Sequence, residues 1–156
     1  MIANSLIFIF SVLFSINLTD IEINDYDNCV FVVVNDLYCK DCLDEISKSQ
    51  SIWNKEFRTI IVRKSPKNAK SVFSSSEMIK SKIKFDEIIF VESKPKEFNK
   101  PIKFLDQDFA ETPILFIRKN KKDHLISFNY LFGDKNYSNI KNKIQDSLKS
   151  IKMKLN

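Results

Sequence analysis

The chain has 156 residues, with 25 basic and 20 acidic side chains, a net charge of +5, three cysteines, one histidine and one glycine. A dinucleotide fingerprint or a phosphate loop needs several glycines, and Gly133 stands alone; a three-histidine metal site is impossible, and a Ser-His-Asp triad has only His124 to use. A hydrophobic content of 44% and an aromatic content of 12% exclude a disordered chain, and the length fits one domain whose core needs no disulfide staples.

No charged side chain precedes Asp20, and residues 6–18 form an apolar run broken only by Ser11, Ser15 and Asn17. The run lacks a polar face, so a targeting segment fits it better than a first strand or helix of the domain. Two readings of residues 1–18 stay open. One is a signal peptide, although no Lys or Arg precedes the run and no A-x-A site follows it. The other is an uncleaved membrane anchor, although the run is shorter than the about 20 apolar residues of a spanning helix. No cysteine directly follows, which argues against a lipoprotein anchor. Both readings send residues 19–156 to a periplasmic or otherwise extracytoplasmic compartment, where disulfides persist.

Cys29–Val34 is an unbroken β-branched and aromatic run, which reads as a central strand buried on both faces. Asn35 and Asp36 end it. Leu43, Ile46 and Trp53 recur at near-helical spacing, predicting a helix from Lys40 to Trp53. Its acidic Asp41, Asp44 and Glu45 lie near the N-terminus, where the dipole favours anions. Residues 57–63 read as a second strand. Val72, Ser76, Ile79 and Ile83 mark a second helix, opened by Ser65-Pro66. Residues 86–92 read as a third strand. Residues 94–112 are mostly polar, and a short helix is expected near Asp106–Ala110. Residues 113–119 and 124–130 form a hairpin around Asn120–Asp123. Tyr137, Ile140, Ile144, Leu148 and Ile151 form one stripe of a C-terminal helix. Strands alternating with helices imply an α/β fold with a mostly parallel sheet, and the hairpin adds an antiparallel edge.

Lysine outnumbers arginine 22 to 3 and is scattered along the chain. Nucleic-acid readers gather arginine and aromatics along one groove, so this pattern reads as a solvated surface and no nucleic-acid partner is expected.

The chemistry gathers at Cys39-Lys40-Asp41-Cys42. Thiol–disulfide exchange needs a thiolate and a second thiol within reach. Two cysteines three apart at the start of a helix share one side of it. Free N–H groups there favour thiolate at the first cysteine. Cys39 is therefore the expected exposed attacker, and Cys42, one turn in, the buried resolving thiol. Lys40 favours the Cys39 thiolate and Asp41 opposes it. Cys29 is ten residues from Cys39 at the other end of a strand rising about 3.3 Å per residue, so it reads as a core residue. Zinc sites also use C-x-x-C spacing, but here only Cys29 and His124 could complete one, and no metal is assigned.

With Tyr38 before the cysteine pair, the apolar strand 29–34, the following helix and Thr112-Pro113 opening the hairpin, the chain resembles the thioredoxin superfamily from about Cys29 to Ile151. The resemblance implies a three-layer sandwich over residues 19–156, a mixed sheet with helices on both faces. It implies a cis-proline at Pro113 beside the disulfide, and a substrate surface shaped by Tyr38, Thr112 and Pro113. The extra strand between Cys42 and Pro113 is similar to exported reductases of the cytochrome-maturation type. The chain departs from the family pattern in four ways. Tyr38 replaces the usual tryptophan, Val33 replaces thioredoxin's buried aspartate, Asp36 stands where peroxiredoxins need Thr or Ser, and the glycines common near the site and after the cis-proline strand are missing. The resemblance implies a thiol–disulfide oxidoreductase with no cofactor, which reduces protein disulfides and draws on an upstream electron donor. A peptide-binding module with a structural Cys39–Cys42 bridge is the alternative, followed by metal handling.

Overall fold

The computed structural model describes residues 25–35, 39–66, 82–93, 101–105, 107–134 and 137–154. The N-terminal apolar run, Tyr38 and nearly all of the helix expected over residues 72–83 lie outside these; Ser65-Pro66, expected to open that helix, instead end a strand paired with residues 92 and 93. The elements are strand β1 (Cys29–Val34), helix α1 (Lys40–Ser49), β2 (Arg58–Pro66), β3 (Glu87–Ser93), β4 (Ile102–Phe104), β5 (Gln107–Phe109), β6 (Ile114–Lys119), β7 (Lys122–Ile126), α2 (Phe128–Phe132) and α3 (Ile140–Lys154). The fold is α/β. Its mixed five-stranded sheet has the order β3-β2-β1-β6-β7, and β4 pairs with β5 separately. β1 and β2 are parallel, as are β2 and β3, while β6 runs antiparallel to both β1 and β7.

β1 occupies the centre because both of its faces are apolar. Val30, Val32 and Val34 pack with Leu43 and Ile46 of α1 and with Ile140, Ile144 and Leu148 of α3. Cys29, Phe31 and Val33 pack with Ile60 and Val62 of β2, Ile114 and Phe116 of β6, and Ile102 and Phe104 of β4. The period of two sends alternate side chains to opposite sides, so one strand serves two cores. Among the described residues, helices cover the first core and the β4–β5 ribbon covers the second.

The ribbon replaces the helix expected near Asp106–Ala110. Ile102 and Phe104 lie two apart and Phe109 pairs opposite Ile102, so the three share the face of the ribbon that packs on the sheet. The Phe104 and Phe109 rings meet Phe116 at centroid distances of 5.0 and 5.6 Å. Burial of three large side chains outweighs any local helix preference.

The hairpin strand expected over 124–130 ends earlier, at Ile126. The Ser127 hydroxyl accepts the Tyr130 amide at 3.2 Å, capping α2. α1 likewise stops at Ser49 and passes through a 3-10 turn, Gln50–Ile52, before Trp53, whose Nε1 donates to Thr59 Oγ1 at 3.0 Å. α3 buries Ile140, Ile144, Leu148 and Ile151 as the stripe predicts, but Tyr137 is 41% exposed in a preceding 3-10 turn.

The single glycine has a steric reason. A Cβ on Gly133 would lie 2.5 Å from the Asn129 carbonyl oxygen, as α2 ends with the Gly133 amide donating to that oxygen at 2.9 Å. Gly133→Ala is expected to destabilise the protein by about 1–3 kcal/mol, the usual range for forced overpacking. An unshifted urea midpoint would refute this contact.

The β6–β7 turn is held from outside. Asn120 and Lys121 both have positive φ, 53° and 59°. Asp27 Oδ1 accepts the Lys121 amide at 3.3 Å and the Asn28 amide at 2.9 Å. Burial works to raise the Asp27 pKa. Amide donation from Asn28 and Lys121, with the Lys121 charge, outweighs it and holds the carboxyl below its ordinary value. A depressed folded pKa contributes stability above the unfolded value, and that stability is lost as pH falls through the folded value. Asp27→Asn should therefore be less stable than the parent at pH 6, with the gap closing below about pH 4. Urea melts at the two pH values measure it, and a gap that persists at low pH would count against the carboxylate.

Candidate active site

The site lies where β1 ends and α1 begins. Cys39 is the N-cap of α1, with extended φ −70° and ψ 109°. Its Sγ accepts the Cys42 amide at 3.2 Å and its carbonyl accepts the Leu43 amide at 3.1 Å. One helical turn brings the two cysteines together, and they form a disulfide with Cα atoms 5.2 Å apart. The sulfurs sit at different depths. Cys39 is half-buried, whereas Cys42 is 1% exposed and belongs to the core under α1. Lys40 and Asp41 are both exposed on the first turn of α1.

A second segment closes over the first. The Thr112–Pro113 peptide bond is cis. The Thr112 carbonyl accepts the Cys39 amide at 3.2 Å. The sequence separates these two residues widely, but β6 pairs with β1 and brings its start to the end of β1, with Val33 opposite Ile114. Thr112, Pro113, Cys39 and Cys42 are therefore brought together.

Asn35 locks the arrangement. Its amide donates to Thr112 Oγ1 at 3.1 Å, the Thr112 hydroxyl donates to Asn35 Oδ1 at 2.9 Å, and Asn35 Nδ2 donates to the Ala110 carbonyl at 3.1 Å. Both side chains are buried. Inside the protein such groups must find partners, and these two satisfy one another. Sequence reasoning treated Asn35 only as the end of a strand. A polar amide directly after an apolar run, and a Thr before a Pro, are the only signals. Nothing local links them across a separation of 77 residues.

Cys29 and His124 stand apart from the site. Cys29 opens β1 at its far end, on the opposite face from Cys42, fully buried. Its thiol donates to the Asp27 carbonyl at 3.0 Å, and burial pushes its pKa up. A thiol in that state is a poor nucleophile. His124 sits on β7 opposite Ile117, which pairs with Val30, also towards the Cys29 end of the sheet. Among the described residues, no three His, Cys, Asp or Glu side chains group closely enough to hold a metal ion.

A disulfide between a partly exposed and a buried cysteine can be opened by a thiolate that reaches the first, and the resulting dithiol can open another disulfide. No family model, curated protein or solved structure matches the chain.

Thr112→Val keeps the side-chain shape but removes the hydroxyl. It leaves the Asn35 amide and Oδ1 without that partner in a buried place. A loss of about 1–3 kcal/mol is expected, read from the urea midpoint at constant slope. A change within about 0.5 kcal/mol would mean that the lock contributes little.

Proposed function

We propose that the protein is an exported thiol–disulfide oxidoreductase of thioredoxin-like architecture, working chiefly as a reductase of protein disulfides. The observation that carries this reading is the partly buried Cys39 at a helix N-cap, bridged to a fully buried Cys42 and held by its backbone amide on the Thr112 carbonyl. The mixed sheet and the two cores fit a layered sandwich, whose helices on both faces are part of the proposal. Export rests on the N-terminal apolar run.

In the reduced protein the Cys39 thiolate attacks one sulfur of a substrate disulfide. A Cys39–substrate bond forms, the substrate S–S bond breaks, and the other substrate sulfur leaves as thiolate and takes a proton. Cys42 then loses its proton and attacks Cys39 Sγ. The Cys39–Cys42 bond forms and the second substrate thiolate departs. Two electrons have passed to the substrate, and an upstream dithiol donor returns the bridge to the reduced state. The α1 N-terminus stabilises the Cys39 thiolate in both directions. Lys40 and Asp41 add opposed charges beside it. Tyr38, Thr112 and Pro113 are proposed to shape the substrate surface, Thr112 through its backbone because its side chain is buried against Asn35.

One observation favours a second reading, a peptide-binding module with a structural bridge. Val33, standing where thioredoxin carries its buried acid, is fully buried among apolar side chains. Its side chain faces the core on the side of the sheet away from Cys42, so that position supplies no carboxylate for proton transfer from Cys42.

Cys39→Ser is expected to abolish turnover in a protein-disulfide reduction assay. Cys42→Ser should stall as a covalent Cys39–substrate adduct, visible on non-reducing gels. Unchanged turnover in both variants would end the oxidoreductase reading. A reduction potential below about −300 mV, beyond the glutathione pool, would favour the structural bridge.

A further inference from the structure

A groove of about 380 Å³ opens beside the Thr112–Pro113 bond, bounded by Glu111 on one side of it and Ile114 on the other. It lies at the end of the sheet that carries the disulfide, since Ile114 pairs with Val33 and the Thr112 carbonyl holds the Cys39 amide. Phe109 and Phe128, both half-buried, supply aromatic surface, and Ile114 is buried beneath. Among the described residues, the charged side chains lining it are Asp108 and Glu111, both exposed, with no lysine or arginine. The chain as a whole carries +5, so this is a negative patch on a positive protein.

We infer that this groove selects the substrate segment beside the reacting disulfide, and that it takes a segment bearing Lys or Arg next to a large apolar residue. The inference rests on the oxidoreductase reading and adds its substrate class. An apolar residue fits against Phe109 and Phe128. The cation next to it meets Asp108 and Glu111 at the rim. Rim charges contribute little affinity each but set orientation and discriminate between partners by charge. Net charge alone makes the opposite prediction, because a +5 protein attracts acidic substrates at long range. The groove and the net charge can therefore be told apart.

The test uses the full chain and two peptides that differ at one position. One carries Lys-Phe and the other Glu-Phe beside a cysteine held as a mixed disulfide with 5-thio-2-nitrobenzoate. Release of the coloured thiolate reports attack by the reduced protein, and each rate is divided by that of the same peptide with dithiothreitol. The Lys peptide should be preferred by roughly fivefold at low salt. The preference should fade at about 0.5 M salt, where exposed charges are screened. It should vanish in the Asp108→Asn, Glu111→Gln double variant and reverse in Glu111→Lys. Serine analogues of both peptides, titrated by fluorescence anisotropy against the oxidised protein, should show the same order without chemistry. Equal or acid-favouring values in rate and binding overturn the groove inference, as does a preference the double variant keeps. Binding preference without turnover of either peptide instead overturns the oxidoreductase reading and supports the groove.

Discussion

Everything in this protein hangs on β1 being buried on both faces. A strand so placed must give up every backbone hydrogen bond to neighbours and every side chain to a core. β2 and β6 take the backbone, one parallel and one antiparallel. Val30, Val32 and Val34 then call for cover on one side, and Cys29, Phe31 and Val33 on the other. α1 and α3 satisfy the first demand. Among the described residues the β4–β5 ribbon answers the second, with Ile102, Phe104, Leu105 and Phe109. The position of the disulfide follows from this. The chain leaves β1 at Asn35 and enters α1 at Lys40, so the helix N-terminus must sit over the end of the central strand.

That placement explains why the sulfurs differ. α1 packs with Cys42, Leu43 and Ile46 inward, which commits Cys42 to the core. Cys39 precedes the first helical residue and escapes the same fate. Its amide would be one of the orphan donors around a helix start, and the Thr112 carbonyl accepts it. The Asn35–Thr112 pair holds that carbonyl in place. Helix capping, strand pairing and one buried polar lock are thus a single construction. The other end of the sheet is different in character. There Cys29 is sealed beside Asp27, and Arg118 makes a two-point pair with Asp123 at 2.6 and 2.7 Å. It is a structural end, with a thiol that burial makes unreactive.

Charge is also unevenly arranged. Lysine dominates the composition, yet among the described residues the charged side chains lining the groove beside Pro113 are carboxylates. A count of charges along the chain hides this, because Asp108 and Glu111 are two of 20 acidic residues and only the folded groove sets them beside Phe109, Ile114 and Phe128.

The sequence by itself determined whatever depends on local spacing. The unbroken run 29–34 marked the central strand, because a short run of β-branched and aromatic residues with no polar face suits a strand buried on both sides. The C-x-x-C pair at a helix start carried its own geometry, since one turn of helix brings i and i+3 together wherever the helix lies. The stripe Ile140, Ile144, Leu148 and Ile151 marked the face of α3. Only the tertiary structure decided the features that join distant residues. Local pattern near 106–110 suggested a helix, and burial against Phe116 made it a ribbon. β7 ended at Ile126 because Ser127 found an amide to cap. Gly133 was kept free of a side chain by the Asn129 carbonyl, a contact no composition reveals. The lock between Asn35 and Thr112 spans 77 residues. Such contacts depend on which strands become neighbours, and that is settled by filling two cores at once.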